Sequence, residues 1–105
     1  MDKFLNFGDW VKQQNSKKPI DHSDWSTCAF GQYIKYVDSF EELRGTFDLN
    51  AVDIGMIAEW LRVHNHYCVS VCRTIEWWIC RERAGIDTYG DLAIKIKGIL
   101  EVNGE

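Results

Sequence analysis

A chain of 105 residues has room for one hydrophobic core, so a single domain over 1–105 is expected. Its 46% hydrophobic and 27% charged residues are the balance of a soluble globular protein, and low-complexity tracts, long charge runs and internal repeats are absent. The net charge of −4 argues against a nucleic-acid binder, which relies on a basic surface.

The opening "MDKFLNFGDW" lacks the basic start and apolar run of a signal peptide. No apolar stretch approaches the roughly 20 residues of a membrane helix. A cytoplasmic protein with no nucleic-acid or membrane partner is therefore expected. Five Trp, five Phe and four Tyr supply large buried area for a small core.

The first predicted helix covers 3–14, with Phe4, Phe7, Trp10 and Val11 at helical spacing and Asp2 as its N-cap. The polar "QQNSKKP" then breaks the chain, because Pro19 disfavours helix at Lys18. A second helix starts near "DHSDW", capped by Ser23 or Asp24. Trp25, Cys28, Ala29 and Tyr33 form its stripe, widened by Phe30, Ile34 and Val37. Gly31 within it implies a close neighbour.

"SFEE", Ser39 to Glu42, fits a capping box for a short helix that Gly45 ends. Asn50 is the expected N-cap of the next helix, with Asp53 in its first turn. From Ala51 to Arg83 the pattern reads as one long central helix, with a break near "HNHY" as the alternative. Leu61, Asn65, Cys68, Cys72, Ile75 and Ile79 form its core seam, and Trp60, Tyr67, Val71 and Trp78 lie beside it. "AG" stops this helix at Gly85. Thr88 and Asp91 then fit a capping box for a last helix to about Val102, with Leu92, Ile96, Ile99 and Leu100 inward. No segment alternates as a strand does. The expected fold is all-α: a single compact bundle of four or five helices with one long central helix.

Cys28, His64, Cys68 and Cys72 are the candidate metal ligands. The last three recur every four residues, and two or three thiolates with an imidazole suit zinc. A metal- or redox-sensing module is thus one reading. Core packing is the favoured one, because Cys68 and Cys72 share the seam with Leu61 and Ile75 and no C-x2-C knuckle is present. A catalytic role for Cys28 needs a base and an oxyanion site that the sequence does not display. G-x-S-x-G, P-loop, H-E-x-x-H and Rossmann signatures are absent, so no enzyme, catalytic residue or cofactor is expected.

The side opposite the seam carries Arg62, His66, Ser70, Arg73, Trp77 and Arg81. Trp77 points away from the apolar arc that takes Trp78, and Arg73 and Arg81 bracket it four residues either way. Trp and Arg together have the composition of an interface hot spot. Arg62, His66, Arg73, Trp77 and Arg81 are therefore the candidate partner-binding residues. Burial of Trp77 under another helix is the competing reading, and self-association through the apolar arc of the long helix is a third possibility.

"Cys28-Ala-Phe-Gly-Gln-Tyr33" is similar to the C-x-[LF]-G-x-W signature of the chemoreceptor zinc-binding domain. That family also has a His well upstream and an H-x-x-x-H pair downstream. Here the first His is His22 and the later pair is His64-Asn-His66, so its zinc set does not carry over. A broader resemblance joins "FLNFGDWVKQQ", "DHSDWSTCAFGQYIK" and "DTYGDL" to small accessory proteins of tailed phages and prophages. It covers about the first third and last fifth of the chain. It implies a phage origin and no particular chemistry; small accessory phage proteins commonly act by binding a host or anti-phage defence protein, which is the expected role.

Overall fold

Five α-helices form among the residues that the computed structural model describes, 4–24, 26–51, 55–82 and 84–104. Trp25, Asp2 and Asp53, which carry expectations above, lie outside them.

Helix α1, Phe7–Gln13, is shorter than expected and capped by Asn6, whose Oδ1 accepts the Asp9 N–H at 2.9 Å. The first N–H groups of a helix have no partner within it. Here distant side chains supply them. Asn65 Oδ1 accepts from Phe7 at 2.8 Å, and the Tyr67 hydroxyl accepts from Gly8 at 3.1 Å. Gly8 permits that approach, since a Cβ there would lie 2.9 Å from the Tyr67 hydroxyl.

After α1 the chain turns, with the Lys18 N–H on the Asn15 carbonyl at 2.9 Å, and runs beside the residues that open the last helix. The N–H groups of Ile20, Tyr89 and Gly90 donate to Asp87, Lys18 and Ser16 carbonyls at 2.9, 3.0 and 3.0 Å. Pro19 and Thr88 form an isolated antiparallel bridge, and no strand forms among the described residues.

Helix α2, Ala29–Val37, begins later than Ser23 or Asp24 would place it. Asp24 instead closes a turn, accepting the Cys28 N–H on its carbonyl. Cys28 is the N-cap, and its Sγ accepts the Gly31 N–H at 3.4 Å. A 3₁₀ turn, Glu41–Leu43, stands where "SFEE" predicts a short helix. Its cap position is Phe40, because the Ser39 hydroxyl is turned back to the Tyr36 carbonyl. Asn50 lies inside a second 3₁₀ turn, Leu49–Ala51, with its N–H on Asp48 Oδ1.

The long central helix is divided. Helix α3 is Met56–Asn65 and α4 is Val69–Trp77, with His66 left-handed at φ 61° between them. Gly55 at φ 89°, rather than Asn50, precedes α3. Glu76 of α4 reaches back to accept the Ala58 N–H at 3.0 Å, in the first turn of α3. A π-turn, Trp78–Glu82, prolongs α4, and Gly85 at φ 75° follows. Helix α5, Tyr89–Val102, has the expected reciprocal capping box between Thr88 and Asp91.

Helix α1 packs on α5 and α2, α3 pairs with α4, and α4 packs on α5. The resulting globule has a radius of gyration of 12.8 Å, the size of a one-domain fold. Phe7, Trp10, Phe30, Tyr33 and Trp60 meet in edge-on and tilted ring contacts at its centre. Leu61, Cys72, Ile75 and Ile79 are buried as the seam requires. Cys68 is exposed, which corrects its seam position: it is the extended N-cap residue before α4, at ψ 159°, so its side chain does not follow the helical stripe. No helix among the described residues is long and apolar enough to cross a membrane.

Candidate protein-interaction face

Helix α4 has a buried side and an outer side. Val71, Cys72 and Ile75 face the core. Val69, Arg73 and Trp77 follow one another at four-residue steps on the outside, and all are exposed. Two hollows flank this crest. One, of about 490 Å³, lies toward α3 and is lined by Arg62, Arg73, Glu59 and Glu76 among others. The other lies toward α5 and takes Ser70, Thr74 and Trp78. Trp77 lines neither and remains 50% exposed. Trp78, its neighbour, is half-buried under Lys95, whose Nζ is 3.8 Å from the ring centroid.

Arg81, in the π-turn, places its guanidinium 6.0 Å from the Trp77 ring centroid. That is within cation–π range. The stack holds a planar cation beside an exposed indole. Arg62 is engaged elsewhere, in an exposed ion pair with Glu59 at 2.6 Å. Mutual hydrogen bonding and charge lower the Glu59 pKa and raise that of Arg62. Arg62 and Arg73 thus share the cleft between α3 and α4, whereas Trp77 and Arg81 form a second unit on the crest.

His66 belongs to neither. The left-handed turn carries it, exposed, into a hollow of about 540 Å³ with His64, Asp9 and Glu42 at the opposite end of α3. One continuous helix would have aligned it with Arg73, and the break removes that alignment. His64 is half-buried, its ring 4.6 Å from Trp60. Burial, and then the charge of His66, lower its pKa.

The four proposed metal ligands are dispersed. Cys28 caps α2, Cys72 is buried in α4 with its Sγ 3.6 Å from the Tyr67 carbonyl, Cys68 is exposed, and His64 stacks on Trp60. Among the described residues no three His, Cys, Asp or Glu side chains are grouped to hold a metal ion.

Periodicity placed Cys28 and Asn65 inward, where both are buried, but not the structural duties they perform. Cys28 caps a helix, a role seldom taken by a thiol. Asn65, 8% exposed, joins three segments: it accepts from Phe7 and donates Nδ2–H to the Tyr33 hydroxyl at 3.1 Å, which itself donates to the Leu5 carbonyl at 2.7 Å. A polar residue on an apolar seam was the available signal for Asn65. Comparison of the chain with family models, curated proteins and solved structures finds no match.

Proposed function

We propose that this is a small non-enzymatic binding protein of phage origin, which acts in the bacterial cytoplasm by docking on a host or anti-phage defence protein. The observation that carries the reading is the Trp77–Arg81 stack, exposed on a chain whose net charge is −4. An indole and a guanidinium already held together lose little side-chain freedom on binding. Such pairs suit the centre of an interface, where Trp and Arg dominate affinity. The partner chemistry that fits is a shallow apolar socket rimmed by carboxylates. Arg73, one turn earlier on the same crest, extends the cationic side toward it. The likeness of "DHSDWSTCAFGQYIK" to phage accessory proteins supports the proposed origin.

The test is affinity capture from bacterial lysate with wild type, Trp77→Ala and Arg81→Glu, each checked by thermal melting. The expected result is unchanged melting with loss of a partner that wild type retains. Retention of the same partner by both variants would move the interface away from this face.

A further inference from the structure

Helix α5 carries a second apolar stripe, on the side away from α1. Ile94, Gly98 and Val102 recur every four residues and so share one face. Ile94 is 74% and Val102 86% exposed. Between them the surface dips, because a Cβ on Gly98 would meet nothing within 4 Å. The stripe is one wall of a groove of about 680 Å³, whose other wall is Ser70, Thr74 and Trp78 of the neighbouring helical segment. Glycine lowers helix stability relative to alanine, and no contact among the described residues requires it here. What it does allow is a close approach by another backbone.

The charges beside the stripe identify that backbone. Lys97 and Glu101 are exposed on one flank, and neither forms an ion pair among the described residues. We infer that α5 of a second copy of this chain covers the stripe, antiparallel to the first about a two-fold axis through Gly98. Reversal sets each position after Gly98 level with the position equally far before it in the other subunit. Ile94 then meets the partner's Val102, and Val102 meets the partner's Ile94. In an antiparallel pair each flank faces its own counterpart. Lys97 therefore stands between the partner's Glu101 and the partner's Lys97, each offset by about 3 Å along the axis at 1.5 Å per residue. The two-fold axis makes the Lys97–Glu101 pair twice and the Lys97–Lys97 approach only once, so attraction outnumbers repulsion. A parallel pair would instead set Lys97 beside the partner's Lys95, so charge selects the antiparallel register. Lys95 stays over Trp78 of its own chain.

A self-complementary patch is what a two-fold dimer requires. Trp77 lines no part of this groove, so dimerisation and docking on the crest are separate properties.

Sedimentation equilibrium of the full chain over a wide concentration range tests the inference, with circular dichroism confirming that each variant is folded. Wild type is expected to pass reversibly from the mass of one chain to that of two. Lys97→Glu or Glu101→Lys alone should raise the dissociation constant about tenfold or more. The double exchange, Lys97→Glu with Glu101→Lys, should restore most of that loss, and Gly98→Leu should leave monomer only. A monomer at every concentration overturns the inference. So does a dimer that ignores Gly98→Leu, or single reversals that the double exchange does not rescue.

Discussion

Trp60 and Trp77 lie seventeen positions apart in one run of helical pattern, yet they have opposite surroundings. Trp60 is 5% exposed, donates its indole N–H to the Thr46 hydroxyl at 3.1 Å and meets Phe30 and Tyr33 edge-on. Trp77 is 50% exposed, with Arg81 over its ring. The first has a satisfied donor and a filled environment, as a structural tryptophan should. The second gives up much of the burial that its size offers. Chemistry at the ring therefore separates the two better than hydropathy does: a neutral hydroxyl inside, a guanidinium outside.

Substitution at both sites is the most severe test of that contrast. Trp60→Ala should cost about 3–5 kcal/mol, the range for removal of a large aromatic from a core. Trp77→Ala should fall within about 0.5 kcal/mol of wild type, as for exposed positions without structural ties. Urea denaturation of both variants measures the difference. Equal losses would make Trp77 a core residue and remove the proposed binding face.

The polar interior gives the next largest effect. Asn65→Leu fits an apolar seam by size but leaves the buried Phe7 N–H without its acceptor. The expected cost is about 1–3 kcal/mol, the penalty of an unsatisfied buried group. Amide exchange should show where the loss falls, with the Phe7 and Gly8 amides losing protection before those of α5. Uniform loss would mean that Asn65 supports the whole core rather than the start of α1.

These residues also show where sequence reasoning succeeds and stops. Helical spacing identified Leu61, Cys72 and Ile75 as buried, because each lies within an unbroken α-helix, and Ile79 because the π-turn prolongs α4 without turning it out of the core. The same phase put Trp77 outside, since it is in one helix with Cys72 and Ile75. Spacing says nothing about residues that leave the helix. His66 takes a left-handed conformation without being glycine, so the usual stop residue was missing and Cys68 was assigned to the core. "HNHY" marked the place only as a polar interruption. Capping by the Cys28 thiol had no familiar signature, and the contact of Asn65 with Phe7 spans 58 positions, beyond the reach of any local pattern.

The smallest effect sharpens the contrast through protonation. His64 stacks on Trp60, and burial followed by the charge of His66 lowers its pKa from the ordinary 6.5. A histidine with a lower pKa in the folded chain binds fewer protons folded than unfolded. Stability is then greatest above pH 6.5 and falls as the pH drops through the folded-state value. The sign is the reverse of that for a histidine paired with a carboxylate. Imidazole proton shifts followed by NMR should place the His64 midpoint below 6.5. His66→Asn keeps a residue that tolerates the left-handed turn and removes the neighbouring charge. In that variant the midpoint should move up toward 6.5 and stop short of it, because burial is the larger cause and remains. A full return to 6.5 would reverse the order of the two causes and make the ring more accessible than its place beside Trp60 allows. No corresponding step between pH 5 and 7 should appear at Trp77, where the adjacent cation is a guanidinium that stays charged throughout.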